Sequence, residues 1–208
     1  MKARLLSLRI LCLTVLFFSA VSPSWGTVLT FDDLPSNTGD ASYIPNNYQG
    51  LVWSNFGVVN AILYTSLHGT GGTYYGMVSA SNVAFNASGN PAEIDSPGNF
   101  DFLSAYLTGA WNSNLNIEVQ GFRSGALLYD TTVIASATNA TLFTFDYFDI
   151  DRLYCNSFGG QNAGFPYGAG NNFEMDNFTF EFIPEPSSLP LTAGGVLTLW
   201  AFLRRKRA

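Results

Sequence analysis

Apolar and polar residues alternate in short stretches along this chain, with the period of two that is typical of half-buried β-strands. Leu115, Ile117 and Val119, for example, share one face, while the residues between them are polar. No window keeps the period of an α-helix over several turns. Ten such stretches, separated by residues typical of turns, predict ten strands: Val28–Phe31, Leu51–Val59, Tyr74–Ser79, Val83–Asn86, Phe100–Thr108, Leu115–Arg123, Ala126–Ile134, Thr141–Tyr147, Arg152–Ser157 and Phe173–Phe182.

The predicted strands lie within residues 27–183, a span long enough for one domain with its own core. Its segment Arg123–Ala126 has the length of a tight hairpin turn, and Gly125 supplies the positive φ angle that such a turn needs. Many short strands with short connections favour an antiparallel β-sandwich of jelly-roll type. We therefore predict an all-β fold, with Trp53 in its core.

Acidic residues dominate this span. The sequence has 9 basic and 15 acidic residues. Seven of the basic residues but only one acid lie outside residues 27–183, so the span has a formal charge of −12. A surface of this sign repels nucleic acid and anionic lipid, which we therefore exclude as partners. Most of these acids have no basic side chain to pair with, so each is expected to contact water or a cation.

Residues 1–26 have the three parts of a secretory signal peptide. Lys2, Arg4 and Arg9 precede the apolar run Ile10–Val21, and small residues flank the tryptophan of Ser24-Trp25-Gly26. Cleavage after this tripeptide would start the mature chain at residue 27. We therefore expect the protein to be exported.

Three further parts follow one another in residues 184–208. Pro184, Glu185 and Pro186 form a stiff, extended frame, because each proline fixes its own φ angle. The uncharged apolar segment Leu189–Leu203 follows, and the chain then carries four basic residues: Arg204, Arg205, Lys206 and Arg207. At about 1.5 Å per residue the apolar segment spans roughly 22 Å, short of the roughly 30 Å hydrocarbon core. Because the basic end stays on the cytoplasmic side, the pattern predicts a short, temporary transmembrane anchor with the rest of the chain outside.

This order of motif, apolar segment and basic end resembles the PEP-CTERM sorting signal of Gram-negative bacteria. The resemblance implies that an exosortase, a membrane-embedded cysteine protease, cuts near the Pro-Glu-Pro motif at the inner membrane. It also implies delivery to the cell envelope, the cell surface or the extracellular matrix. Proteins with this signal accompany exopolysaccharide production and biofilm formation, so the resemblance implies an extracellular polysaccharide as a partner.

Acidic residues at both ends of the predicted domain suggest a calcium site. Strict alternation places Glu174 and Asp176 on the same inner face as Phe178, where an unpaired carboxylate is costly. A structural Ca²⁺ held by these two side chains together with Asp32 and Asp33 would remove that cost. Alternatively, a β-bulge near Asp176 would return both acids to water. The FDDL of the first strand and the DNF of the last also resemble calcium-containing jelly-roll carbohydrate-binding modules.

Trp111 directly follows a predicted strand and lies in a polar loop with Asn112 and Asn114. A flat ring in this setting stacks on a sugar face while the amides hydrogen-bond its hydroxyl groups, so these three residues are candidate ligand-binding residues. Ordinary core packing is the alternative. Four further aromatic residues would extend such a platform: Tyr74, Tyr75, Phe165 and Tyr167.

Catalytic chemistry has little support in the sequence. His68 is the single histidine, Cys155 is the single cysteine left after processing, and no GxSxG motif occurs. This composition disfavours a zinc site, and the lone thiol is expected to be a buried apolar group. A glycoside hydrolase needs two carboxylates, but fourteen acids always offer some pair. We therefore interpret the chain as a non-enzymatic exported protein, with a carbohydrate-binding module as the alternative and a glycoside hydrolase less favoured.

Overall fold

The structure is a computed structural model that describes residues 26–36 and 39–183. The body of the predicted signal peptide, the Pro184–Pro186 motif, the apolar segment and the basic end lie outside the described residues. Within the described ranges, no helix combines the length and the apolar character that a membrane crossing requires.

Twelve strands and two short helices form in this part of the chain. The strands are β1 (Thr27–Leu29), β2 (Ser42–Tyr43), β3 (Val52–Ser54), β4 (Phe56–Asn60), β5 (Asn82–Asn86), β6 (Ala92–Gly109), β7 (Asn112–Ser113), β8 (Leu115–Arg123), β9 (Ala126–Ala135), β10 (Thr141–Phe158), β11 (Gln161–Asn162) and β12 (Phe173–Phe182). The helices are α1 (Ala61–His68) and α2 (Gly72–Gly76), and a single 3₁₀ turn covers Ala87–Gly89.

The two longest strands, β6 and β10, hold the fold together, and every strand pairing is antiparallel. The strands follow one another in the order β2-β4-β5-β12-β6-β10-β8-β9, while β1 pairs with β12 and β3 pairs with β6. The first part of β6 and the last part of β10 form one half of the sandwich with β3, β8 and β9. Their other parts form the second half with β12, β5, β4 and β2. The predicted all-β antiparallel sandwich is confirmed.

Strand β10 bends between the two halves. Its pairing with β6 changes register around Asp146 and Asp149, and these two residues have φ angles of 49° and 61°. Aspartate tolerates this left-handed conformation better than most residues. The sequence predicted two separate strands here, Thr141–Tyr147 and Arg152–Ser157, whereas the bulges join them into one bent strand.

The predicted strand Leu51–Val59 is two strands in the structure. It divides into β3 and β4 at Asn55, which has a φ angle of 58°. The Asn55 side-chain amide donates hydrogen bonds to the carbonyl oxygens of Ala87 and Pro91. These hydrogen bonds therefore fix the break between β3 and β4 to the segment that precedes β6.

The segment between β4 and β5 is helical, not a strand as predicted for Tyr74–Ser79. Helix α1 begins after Asn60, whose Oδ1 accepts a hydrogen bond from the Leu63 amide at 3.0 Å, and ends at Gly69. Only Ala61 of α1 is buried, so the helix lacks the apolar stripe that marks a helix in a sequence.

One apolar cluster lies between the two halves of the sandwich. The Phe102 ring stacks on Phe178 with a centroid separation of 4.8 Å, and the Trp53 ring meets Phe178 edge-on at 5.8 Å. Trp53 is buried as predicted, and its Nε1 donates to the Tyr48 carbonyl oxygen. Cys155 is buried in the same cluster, and burial raises the pKa of its thiol to about 12, so it is the apolar filler that the sequence predicted.

Candidate functional site

A pocket lies where α1 and α2 cover the end of the second half of the sandwich. Its volume is about 160 Å³. A cavity of about 150 Å³ accommodates a benzene ring, so this pocket has room for one six-membered ring and not for an oligosaccharide. Three aromatic side chains and a single carboxyl group are among the nine residues that line it: Ala41, Val59, Tyr64, Thr73, Phe85, Ala110, Trp111, Asn172 and Glu174.

Glu174 is the charged group of this pocket. Its side chain is only 3% exposed. The Thr73 hydroxyl on α2 donates to Oε1 at 2.8 Å, whereas Oε2 is buried without a hydrogen-bond partner. Burial raises the pKa of Glu174 to about 8, and the hydrogen bond from Thr73 opposes this rise. The protein therefore supplies a hydrogen-bond donor to Oε1 of Glu174 but none to Oε2.

A β-bulge in β12 explains why Glu174 faces the pocket. The pairing of β12 with β6 changes register after Asp176, and Asn177 has a φ angle of 48°. Phe173 and Met175 therefore share the core with Phe178, on the other side of the strand from the two acids. The strict alternation assumed from the sequence is wrong here. The bulge does not expose the acids either, because α2 and the segment after it cover that face.

Glycines let α2 approach the strands closely. A Cβ atom at Gly76 would lie 2.8 Å from Cβ of Glu174, and one at Gly72 would lie 2.0 Å from the Gly109 carbonyl oxygen. The Gly72 amide also donates to the Ala110 carbonyl oxygen at 3.0 Å. This close packing places Thr73 directly against Glu174 and closes the pocket on one side.

Trp111 occupies the bend between β6 and β7 and is half-buried. Its carbonyl oxygen accepts a hydrogen bond from the Ala163 amide at 2.8 Å. A Cβ atom at Gly168 would lie 2.3 Å from the six-membered part of the indole, so this glycine packs flat against the ring. The loop before β12 therefore fixes the position of Trp111, and the indole ring lines the pocket.

The asparagines predicted to assist Trp111 do not line the pocket. The Asn112 side chain donates to the Gly159 carbonyl oxygen and to Asn171, so it ties two loops together. Asn114 is exposed, with a φ angle of 54° in the turn before β8. Asn172 lines the pocket instead. No sequence pattern indicates this role, because the residue is one of several asparagines in the Asn/Gly-rich loop before β12.

Two exposed tyrosines and the half-buried Phe165 lie close to Trp111. Tyr75 stacks on Phe165 at a centroid separation of 6.1 Å and meets Tyr74 edge-on at 5.8 Å. A Cβ atom at Gly71 would lie 3.6 Å from the Trp111 ring and 3.9 Å from Phe165, so these two rings are neighbours. We call Tyr74, Tyr75 and Phe165 the aromatic cluster. Tyr167 in the same loop is 82% exposed.

The four predicted calcium ligands are not brought together into one site. Asp32 accepts a hydrogen bond from the Asn82 amide, and Asp33 accepts one from the Tyr48 hydroxyl at 2.6 Å. Asp176 is fully buried and accepts hydrogen bonds from three backbone amides and one hydroxyl group: Val78 N, Ser79 N, Asn177 N and Ser79 Oγ. In residues 26–36 and 39–183, no group of three or more histidine, cysteine, aspartate or glutamate side chains is placed to hold a metal ion. Calcium binding itself stays a prediction.

The sequence matches no protein-family model, and a search of curated proteins finds no match. Solved structures similar to this chain include a DUF4465 family protein from Bacteroides caccae, with 12% identity over 80% of this chain and 97% of that chain and a TM-score of 0.44. A family 61 carbohydrate-binding module in complex with β-1,4-galactotriose has 11% identity over 68% of this chain and 95% of that chain, with a TM-score of 0.35. The family 32 carbohydrate-binding module of Clostridium perfringens NanJ in complex with galactose has 12% identity over 69% of this chain and all of that chain, with a TM-score of 0.35.

Proposed function

We propose that this protein is an exported, non-enzymatic carbohydrate-binding protein. The observation that carries the proposal is the Trp111 ring, which lines a pocket of one-ring size and neighbours Phe165 of the aromatic cluster, whose two tyrosines are exposed. Flat apolar rings bind the apolar faces of sugars, and a buried carboxyl group at the end of the pocket hydrogen-bonds hydroxyl groups. A chain end or a single branch sugar enters the pocket, while the next sugars lie across the aromatic cluster.

The pocket does not have the groups that hydrolysis of a glycosidic bond requires. Glycosidases place two carboxyl groups on either side of the bond, roughly 5 to 9.5 Å apart. Among the described lining residues Glu174 is the single carboxyl group. Asp176 is the next acid on the same face of β12, but four hydrogen-bond donors of the protein occupy it. The arrangement therefore favours binding over catalysis.

Binding of purified mature protein to a panel of polysaccharides, by pull-down and affinity electrophoresis, tests the proposal. Loss of one anchoring aromatic ring weakens a binding site by about 30-fold or more, so Trp111→Ala and Tyr75→Ala should each weaken retention. Phe148→Ala is the matched control, because Phe148 is 50% exposed but lies in the middle of β10, between the residues that pair with Phe102 and Phe100, and not at the end of β6 that precedes Trp111. Equal retention of all variants would refute this site.

We further propose that the chain reaches the cell surface by the route that its terminal segments imply. The supporting features are the signal-peptide pattern in residues 1–26 and the Pro-Glu-Pro, apolar and basic parts of residues 184–208. An exosortase at the inner membrane is the processing partner, and an extracellular polysaccharide of the matrix is the ligand. Secretion of the chain with and without residues 184–208 tests this route, and unchanged surface display of the shortened chain would refute it.

A further inference from the structure

We propose that the pocket binds the ammonium group of an amino sugar, a ligand class that rests on the carbohydrate-binding function proposed above. The ammonium group contacts the free Oε2 atom of Glu174, and the sugar ring packs against Trp111. A neutral sugar fits the same space but leaves Glu174 in its protonated, uncharged form.

The first argument is the missing partner of Glu174. Oε2 is buried, and no hydrogen-bond donor of the described residues reaches it. A second buried polar atom without a partner, Oγ1 of Thr108, belongs to the β6 residue directly opposite Glu174 in the strand pairing. Buried polar groups in proteins are nearly always satisfied, so an unsatisfied carboxyl oxygen on a side chain that lines a pocket indicates a missing polar group. An ammonium group supplies up to three donors.

The second argument is charge. No described lining residue is basic, and the two arginines of the domain are engaged elsewhere. Arg123 pairs with Asp149, and Arg152 lies over the Phe122 ring at 4.2 Å. The ionised form of Glu174 therefore has no counter-charge within the described chain, and the formal charge of −12 on residues 27–183 attracts cations to the whole domain.

The third argument is the chemistry of the walls. Tyr64, Phe85 and Trp111 surround the space next to the carboxyl group. Aromatic faces attract ammonium groups through their negative π-electron surface, and this attraction grows when water is excluded. A carboxylate within aromatic walls therefore suits a cation better than a hydroxyl group.

The fourth argument is size. The pocket volume of about 160 Å³ leaves room for one ring. An N-acetyl group would add bulk and would remove the positive charge that stabilises the ionised form of Glu174. The structure therefore favours the free amine over the acetylated sugar.

Two titratable side chains lie near Glu174, one on α1 and one on β12. Tyr64 faces it from α1, and its pKa is raised by burial and by the charge of Glu174. Asp176 lies on the same face of β12, and the Thr73 hydroxyl on α2 is not titratable in this range. Since the pKa of Glu174 is raised by burial, the carboxyl group must release its proton when it takes up an ammonium group.

Calorimetric titration of the mature protein at pH 7 with sugars that differ in one group tests the proposal. The pairs are glucosamine with glucose and galactosamine with galactose, and the acetylated forms are added as a third arm. A charge-assisted hydrogen bond should make the amine of at least one pair bind about 10- to 100-fold more tightly than its hydroxyl counterpart. Glu174→Gln should abolish this preference, with circular dichroism as the check on its fold.

A measurement on the unmodified protein keeps the test independent of the variant. Titrations in two buffers of different ionisation enthalpy report protons released on binding. The amine should cause a net release of protons at pH 7, because Glu174 ionises on binding, whereas the neutral sugar should release none. Equal affinities within both pairs, or a preference that Glu174→Gln retains, would overturn the proposal.

The outcomes separate this inference from the function on which it rests. Retention on polysaccharide that depends on Trp111, without a preference for amines, would overturn the ammonium site and leave the carbohydrate function standing. Binding of methylammonium that depends on Glu174, without binding of any sugar, would support the ammonium site and refute the carbohydrate function.

Discussion

Replacement of Glu174 by glutamine should change how the stability of this protein depends on pH. The pKa of Glu174 is about 8 in the folded protein, against an ordinary value of 4.5. Between these two values the folded state holds a proton that the unfolded state has released, so the free energy of unfolding falls as the pH rises. The loss starts near pH 4.5 and is complete above pH 8.

The size of this effect follows from the same two values. Each pH unit inside the window removes up to about 1.4 kcal/mol, so the unmodified protein should lose about 3 kcal/mol between pH 5 and pH 7. For a domain of this length the melting temperature should fall by roughly 6–12 °C over these two units. Asp176 adds to the slope with the same sign, because burial raises its pKa as well.

Thermal unfolding of the unmodified protein and of Glu174→Gln at closely spaced pH values provides the assay. The variant should lose most of the slope between pH 5 and pH 8. The offset between the two curves is not diagnostic, since the amide places a donor where the carboxyl group had a free acceptor. Glu118→Gln on β8 is the control for the removal of one carboxylate. Parallel curves for Glu174→Gln and the unmodified protein would refute the assignment of a buried, free carboxyl group.

Four further predictions concern the surroundings of this group. Asp176→Asn should lower the free energy of unfolding in urea by about 2–4 kcal/mol, because it disturbs the acceptor of four hydrogen bonds; a loss below 1 kcal/mol would contradict the network. Asn86→Ala should cost a similar amount by equilibrium denaturation, because Asn86 is fully buried and bonded to three groups of neighbouring segments. Gly168→Ala should displace the Trp111 ring, with a loss of about 1–3 kcal/mol and of tryptophan-dependent ligand binding, whereas Gly98→Ala has no atom within 4 Å and should be neutral. Calcium binding predicts a lower melting temperature in the presence of a chelator, and an unchanged value would remove calcium from the description.

The sequence predicts a strand well where one face of the strand is buried and the other is exposed to solvent. The alternation in Leu115–Arg123 matches β8 to the residue, and the turn around Gly125, with a φ angle of 80°, forms where it was expected. The signal fails where local conformation breaks the alternation. Bulges at Asp146 and Asp149 let one strand serve both halves of the sandwich, and no period describes such a strand.

The candidate site was predicted in pieces. Trp111 was singled out for sugar binding and Glu174 for calcium, as parts of two unrelated hypotheses. Their meeting depends on two features that the sequence does not reveal: the bulge at Asn177, which turns Glu174 away from the core, and helix α2, which covers that side of β12. Strict alternation predicts correctly that Glu174 is buried, but it places the side chain in the core and not under helix α2.

The contrast between the two buried acids of β12 separates a structural carboxylate from one that is available to a ligand. Asp176 is fully buried, and four donors of the protein satisfy its oxygens, so a ligand would have to displace bonds that stabilise the fold. Glu174 is also buried, but it accepts a hydrogen bond from only one group, the Thr73 hydroxyl. Its other oxygen has no hydrogen-bond partner, and the side chain lines a pocket. A strand that only needed burial there would be more stable with an apolar residue at this position. The presence of a half-satisfied carboxyl group next to Trp111 is therefore best explained by a cationic or hydroxylated ligand that completes its hydrogen bonds.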